Sequence, residues 1–388
     1  MPRLPAGAPP PITSAPRQRR ALSNVGGATE VWAQSPRLER LVREALAVRS
    51  GEDRVLTHVH GFHSYPARLH PDTATTLIRE LSSGREAVLD PFCGSGTVLV
   101  CARLLGRRAF GSDLNPIAVE LSRVKSAGAS PAFTRALLAA AEQVVEHARA
   151  RQKAKLGPTA PYGSEDRALF ATHVLLELDG VRDGIDGVTE PAVAAALRLV
   201  LSALLTQVSQ RAGDSSEREE PKRIARGFVL RFFAMKARDL AQRLTEFTAL
   251  VPQGTPPARV ESADARQLGF VRDETLSLVV SSPPYPGVYD YLDHHRVRLR
   301  WLRLDSSRFA RGEIGSRRAA QEEGAEAIAR WEHDFSRCLR ELRRTLRSGG
   351  HAALLLADSV HSSRPLHVER WLPPLVQSAE LAIVAHAA

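Results

Sequence analysis

Two segments of this chain hold residues whose types and spacing could do chemistry. The first is Asp90-Pro91-Phe92-Cys93-Gly94-Ser95-Gly96-Thr97, with Asp113 standing 19 residues after Gly94. Gly94 and Gly96 let backbone approach a ligand closely, and an acid at that spacing suits the hydroxyls of a ribose. The pair reads as a site for an adenosine-containing cofactor. A dinucleotide fits badly, because Leu99 stands where the third glycine of that fingerprint belongs and Asp90 would repel a pyrophosphate. S-adenosyl-L-methionine, with its sulfonium and its amino group, suits Asp90 better. The second segment is Ser282-Pro283-Pro284-Tyr285. An exocyclic amine on a nucleobase is a poor nucleophile, since its lone pair is delocalised into the ring. Two fixed acceptors on its protons, the Ser282 hydroxyl and the Pro283 carbonyl, would steer that lone pair toward a methyl group. Pro283 and Pro284 stiffen the loop that holds them. Tyr285 offers a flat face for an extruded base.

Both segments need a scaffold, and the flanking sequence supplies one. Residues 86–90 form a short apolar run ending on Asp90, residues 98–105 are helical in pattern and stopped by Gly106, and residues 107–113 form a second run ending on Asp113. Strand, glycine turn, helix, strand and acid open a doubly wound α/β sheet. Strand signals return at 258–263, 275–281 and 352–357, with a last apolar run at 380–385. Between them, helical periodicity prevails, most clearly over 191–207 and 222–250. The expected division is a disordered basic arm over 1–35, a cofactor-binding half over 36–124 that opens on a helix at 36–49, a helical insertion over 125–258, and a catalytic half over 259–388.

DPFCGSGT followed by GSDLNP resembles the first two motifs of the amino-group DNA methyltransferases, which act on cytosine N4 or adenine N6. Ser-Pro-Pro-Tyr resembles their catalytic motif. The resemblance implies a Rossmann-like methyltransferase sheet, S-adenosyl-L-methionine as cofactor and DNA as partner. It carries cofactor contacts onto Asp90, Pro91, Phe92, Gly94, Gly96, Thr97 and Asp113. Asp264 matches a third acidic motif that contacts the adenine, and Phe62 lies in a segment, 61–68, that resembles the family's cover over the cofactor. Ser before Pro-Pro-Tyr looks like the cytosine branch, with adenine as the other reading. RNA as substrate and an inactive nucleic-acid-binding protein remain open alternatives. A restriction endonuclease is the expected partner in a restriction-modification setting. The insertion lies between the second and third strands, an unusual place for a target-recognition region. The family's closing antiparallel strand has no residues left to form it after 385, so the resemblance implies an open sheet edge or a shortened chain.

Composition sets bounds on these readings. Hydrophobic residues make up 43% and charged residues 25%, enough to bury a core. A net charge of +10 and a pI of about 10.1 favour a polyanionic partner. The arginines between 296 and 318 (Arg296, Arg298, Arg300, Arg303, Arg308, Arg311, Arg317 and Arg318) read either as a solvated helix face or as phosphate contacts. Cys93, Cys101 and Cys338 are too few for a disulfide framework, which fits a reducing cytoplasm. No Pro-Cys pair is present, so a ring-carbon cytosine mechanism lacks its nucleophile. His58, His60, His63 and His70 lack acidic or cysteine partners at ligand spacing, so no metal is expected. Phe228, Phe232 and Phe233 are expected in the core of the insertion. No run of about 18 apolar residues is present to cross a membrane.

Overall fold

The computed structural model describes residues 29–48, 56–211, 222–361 and 364–388. The chain opens with a short strand β1 (Val31–Ala33) and helix α1 (Pro36–Leu46). A single 3-10 turn at His58–Gly61 precedes α2 (Pro71–Leu81). Strand β2 (Ala87–Asp90), helix α3 (Thr97–Leu104), strand β3 (Arg108–Asp113) and helix α4 (Pro116–Ala127) then form the expected βαβα opening. Five helices follow: α5 (Pro131–Lys153), α6 (Ser164–Leu169), α7 (Thr172–Asp186), α8 (Pro191–Val208) and α9 (Phe228–Leu250). The sheet resumes with β4 (Arg259–Ser262) and β5 (Leu276–Ser281). Helices α10 (Tyr291–Trp301), α11 (Ser307–Gly312), α12 (Arg317–Glu323) and α13 (Ala325–Thr345) lead to β6 (Leu346–Leu354). A small hairpin of β7 (Ser359–His361) and β8 (Arg364–Leu366), helix α14 (Val368–Ser378) and β9 (Ala385–Ala387) complete the described chain.

The central sheet runs β4-β3-β2-β5-β6, with every pairing parallel. Counted from β2 this is the order 3-2-1-4-5, the doubly wound arrangement of a Rossmann-like methyltransferase sheet. Its strand order reverses between β2 and β5, and ligands bind outside the carboxyl ends of the strands at that point. The period-two alternation of a strand explains how both faces are covered. Val88, Leu278 and Val280 pack into one cluster with Ala74, Leu77 and Ile78 of α2 and Val98 and Leu99 of α3. Leu89 and Val279 point the other way, toward Trp331, Phe335, Leu339 and Leu342 of α13.

The insertion forms a third core that reaches back onto α4 through Ile117, Leu121 and Val124. Gly180 and Gly184, one turn apart on α7, let that helix lie against α5. A Cβ on Gly184 would stand 3.2 Å from the Val144 Cα. Phe233 is fully buried in this core, while Phe228 and Phe232 stack on each other at its edge. Helix α8 is, by length and composition, apolar enough to cross a membrane even though Arg198 interrupts it. It is packed among α4, α5, α7 and α9, as the central helix of a bundle must be.

Several expected boundaries move. Residues 1–28 of the expected arm lie outside the described residues, but 31–33 are not irregular. They form a strand that pairs antiparallel with Ala385–Ala387, and Trp32 stacks on His386. The 380–385 run therefore adds no strand to the central sheet. Its last residue instead begins the far partner of β1, and β4 and β6 are the sheet's two edges. The helix expected over 222–250 begins at Phe228, because Gly227 at φ +75° turns the chain into it. The insertion begins at Pro131, since Lys125 still belongs to α4. The strand expected at 352–357 runs over 346–354.

Candidate active site

Four strand ends build one cleft. β2 ends on Asp90, β3 on Asp113, and the residues just beyond β4 and β5 are Asp264 and Ser282; all four line one open space. Its floor is the turn Pro91–Ser95, and its walls include Tyr65, Arg68, Asn115, Tyr291, Phe309 and Glu313.

The glycine turn is held from both sides. The Gly94 N–H donates to Asp113 Oδ2 at 3.0 Å, and the Asn115 N–H donates to Oδ1 at 2.9 Å. Ser122 Oγ of α4 donates to the Gly94 carbonyl at 2.9 Å. Gly96 has φ +77°, and a Cβ there would press on Ser122 at 3.0 Å. Gly96 thus serves the turn and does not face the cleft. Gly94 does face it, with a Cβ position only 3.1 Å from the Tyr65 ring.

Asp90 is buried. Its Oδ1 accepts from Ser281 Oγ at 2.6 Å and from the Phe92 N–H at 3.1 Å. Burial outweighs both bonds and pushes its carboxyl up to about 7. Enclosure pushes Asp113 up to about 6 against the pull of its backbone N–H donors, Asn115 and Gly94 among them. Unpaired carboxylates crowded at strand ends call for a cationic ligand. The cradle at Gly94 and the acids around it fit S-adenosyl-L-methionine on that ground. Asp264 differs: it is paired with Arg266 at 2.7 Å, and Arg266 also bonds Asp334 at 2.8 Å. That pairing holds the Asp264 carboxyl below the usual range despite its partial burial.

The Ser-Pro-Pro-Tyr loop leaves β5 at the cleft's mouth. Ser282 and Pro284 line the cleft; Pro283 is buried and Tyr285 stands outside it. The Tyr285 hydroxyl lies 3.0 Å from Ser282 Oγ and donates to the Leu355 carbonyl at 3.4 Å. Trp331 Nε1 holds the Pro284 carbonyl at 3.2 Å.

Some expected positions are corrected. Phe62 is not at the cleft. Its ring is buried in the insertion's core with the Lys236 ammonium above it, 5.2 Å from its centre. The aromatic wall is instead Tyr65, three residues on, stacked on His295 at 5.0 Å and facing Tyr291 at 6.4 Å. His63 is buried with its ring on the Ser64 carbonyl and Ser202 Oγ. Pro91, Phe92 and Thr97 line the cleft. Tyr65, Tyr291 and Glu313 were missed; the tyrosines of 61–68 and 289–291 were the available signal, and Glu313 had none.

The arginine stretch is largely committed within the molecule. Arg298 is buried and holds Ser64, Ser202 and Thr206. Arg300 pairs with Glu165 and Asp166 at 2.7 and 2.6 Å, and Arg296 and Arg303 pair with Glu165 and Asp186. These arginines tie α10 to the insertion. Arg300→Ala is therefore expected to leave the salt dependence of nucleic-acid binding unchanged and to lower the thermal midpoint, by about 1–2 kcal/mol of stability, because Asp166 keeps only Trp301 Nε1. Salt titrations and calorimetry on the variant check both halves.

A five-stranded parallel sheet with acids and a glycine turn at its switch point is the arrangement of a Rossmann-like methyltransferase fold. Residues 16–123 match the family model described as DNA methylase. S-adenosyl-L-methionine is the methyl donor that this match and the fold imply. Type II methyltransferase M.MjaII of Methanocaldococcus jannaschii is 32% identical over 68 residues, covering 18% of this chain and 13% of that protein. Type II methyltransferase M.MvaI of Kocuria varians is 33% identical over 75 residues, covering 19% of this chain and 16% of that protein. The matched stretches are thus under a fifth of either relative's length. The solved rRNA methyltransferase aviRa of Streptomyces viridochromogenes aligns at 17% identity over 81% of this chain and 84% of that one, with a TM-score of 0.31. A likeness at that level adds nothing to the strand order itself.

Proposed function

We propose that this protein transfers a methyl group from S-adenosyl-L-methionine to an exocyclic amino group of a DNA base, cytosine N4 in first place, with the base turned out of the duplex. The observation that carries this reading is the shared cleft: Ser282 opens onto the same space as Asp90, Asp113 and Gly94.

The cofactor supplies, when bound, a methyl group on a cationic sulfur. Asp113 would hold the ribose hydroxyls, and the Gly94 turn with Asp90 would hold the amino acid part. Tyr65, over that turn, shields it from water. Ser282 and the Pro283 carbonyl would accept the amine's two protons and turn its lone pair toward the methyl. The buried Pro283 ring and the Trp331 bond fix those acceptors before the base arrives, so no reorganisation is needed at the moment of reaction. Tyr291 extends the aromatic wall on which an extruded base can stack. We assign target recognition to the helical insertion, whose bundle is tied to α10 beside the cleft. The type II naming of the relatives supports a partner endonuclease, and the three buried thiols suit a reducing cytoplasm.

The test is mass spectrometry of nucleosides from DNA and RNA after expression in a methylation-free host. N4-methylcytosine in DNA is the expected product. Methyladenine would overturn the base preference but not the class of reaction, whereas methylation confined to RNA would overturn the DNA reading.

A further inference from the structure

Glu313 is the acid in the cleft for which the reading above has no use. It sits between α11 and α12, and its side chain is 5% exposed. Oε1 accepts from the Tyr291 N–H at 2.8 Å and the Leu292 N–H at 3.3 Å, so it caps the start of α10. Oε2 is sealed from solvent and makes no hydrogen bond; the nearest cation is the Arg318 guanidinium at 4.0 Å. Among the described residues that line the cleft, no other carboxylate oxygen is buried in that state. The segment is also fastened to the catalytic loop. The Gly287 N–H donates to the Gly315 carbonyl, and the Arg317 N–H donates to the Tyr289 carbonyl. A helix start that fixes one oxygen, in a residue that lines the same cleft as the acceptor Ser282, leaves the second oxygen with no hydrogen bond and only the Arg318 guanidinium within ionic reach.

Amino methylation needs a group of this kind. The nitrogen–methyl bond forms with the amine's lone pair, and the methyl–sulfur bond breaks with its electrons staying on the sulfonium sulfur. The nitrogen then carries a proton too many. Its N–H bond must break, with the electron pair staying on nitrogen and the proton going to an acceptor. A serine hydroxyl and a proline carbonyl accept hydrogen bonds but are too weakly basic to keep a proton. Asp264 is occupied by Arg266, and Asp113 by two backbone donors. We propose that Glu313 Oε2 takes the proton that the target amine gives up. This rests on the amino-methyl transfer proposed above.

The surroundings suit the task. Burial and the Asp290 carboxylate push Glu313 up to about 7, against the pull of the Tyr291 and Leu292 amides and of Arg318. The other charged groups on that side, Asp264 and Arg266 across Gly312, neutralise each other. The Tyr291 phenol is pushed up by burial and stays neutral. An acceptor poised near the working pH is the efficient one.

Glu313→Gln keeps an oxygen for the Tyr291 and Leu292 amides and removes the base. Single-turnover transfer to unmethylated DNA should rise with pH through a midpoint near 7 in the unaltered protein. In E313Q that limb should vanish and the rate fall about 100-fold. Binding gives a second readout. Calorimetry should show the unaltered protein preferring sinefungin, whose amine replaces the methyl-bearing sulfonium, over S-adenosylhomocysteine, and E313Q should lose about 10-fold of that preference. An active unaltered protein whose rate, pH limb and analogue preference are all kept in E313Q would overturn the role of Glu313 alone. An unaltered protein that methylates no DNA would overturn the proposed activity together with it.

Discussion

Ser282→Ala is expected to slow methyl transfer 100- to 1,000-fold while leaving cofactor affinity unchanged. Removing one fixed donor or acceptor from a preorganised site has effects of that size. The geometry around Ser282 sharpens the expectation. Tyr285 has one hydroxyl proton and spends it on the Leu355 carbonyl. With its proton there, Tyr285 is free to receive the Ser282 proton across 3.0 Å, an arrangement that turns the Ser282 lone pairs toward an incoming amine. Tyr285→Phe removes the receiver, frees the Ser282 hydroxyl to rotate and is expected to slow transfer about 10-fold. Since both substitutions act through one hydroxyl, the double variant should be no slower than Ser282→Ala. Tritium transfer in the four proteins completes the cycle. Strictly additive losses would show that Tyr285 acts on the base by stacking and not through Ser282. A fast Ser282→Ala protein would remove the proposed acceptor.

The parts of this molecule that the sequence makes visible are those decided over a few adjacent residues. Asp90 closes the short apolar run Ala87-Val88-Leu89 and Asp113 closes the short segment from Arg108, so a strand and the acid at its carboxyl end are written together, and a parallel sheet collects such ends at one edge. The Ser282 loop is visible for the same reason. What stays hidden is what distant segments do to each other. Eight arginines between 296 and 318 read as free charge because Glu165, Asp166 and Asp186, the partners of three of them, lie more than a hundred residues earlier. Phe62 and Tyr65 are three residues apart in one cover segment, and only the insertion's core decides which ring turns inward. Glu313 reaches the cleft because two backbone bonds pin its turn to the 287–289 loop, and no local pattern announces that. The strand Val31–Ala33 could not be read from its own end of the chain, since its partner is Ala385–Ala387.

Asp90→Asn should separate binding from stability in opposite directions. The substituted amide keeps an oxygen for the Ser281 hydroxyl and the Phe92 N–H, so the turn retains its shape. What is lost is a carboxylate that burial disfavours. The folded Asp90 carboxyl lies near 7 against an ordinary value of 3.8. The folded state thus holds its proton more tightly than the unfolded chain does. Stability from this group is complete below about pH 4 and drains away as pH rises through about 7. At pH 8 the ionised, ligand-free protein is weakened by on the order of 4 kcal/mol at this position. Asp113, raised to about 6, adds a smaller loss of the same sign over a lower window. In Asp90→Asn the penalty is gone. Thermal midpoints of the two ligand-free proteins should coincide at and below about pH 4, diverge progressively between about pH 4 and 7, and favour the variant by several degrees at pH 8. Cofactor binding should move the other way. Loss of a charge-assisted contact to a cationic ligand is worth about 1.5–3 kcal/mol, or roughly 10- to 100-fold in affinity. Stability curves that run parallel at every pH would mean that Asp90 is ionised at no cost in the folded protein. An unchanged cofactor affinity would mean that the cationic end of the ligand lies elsewhere in the cleft.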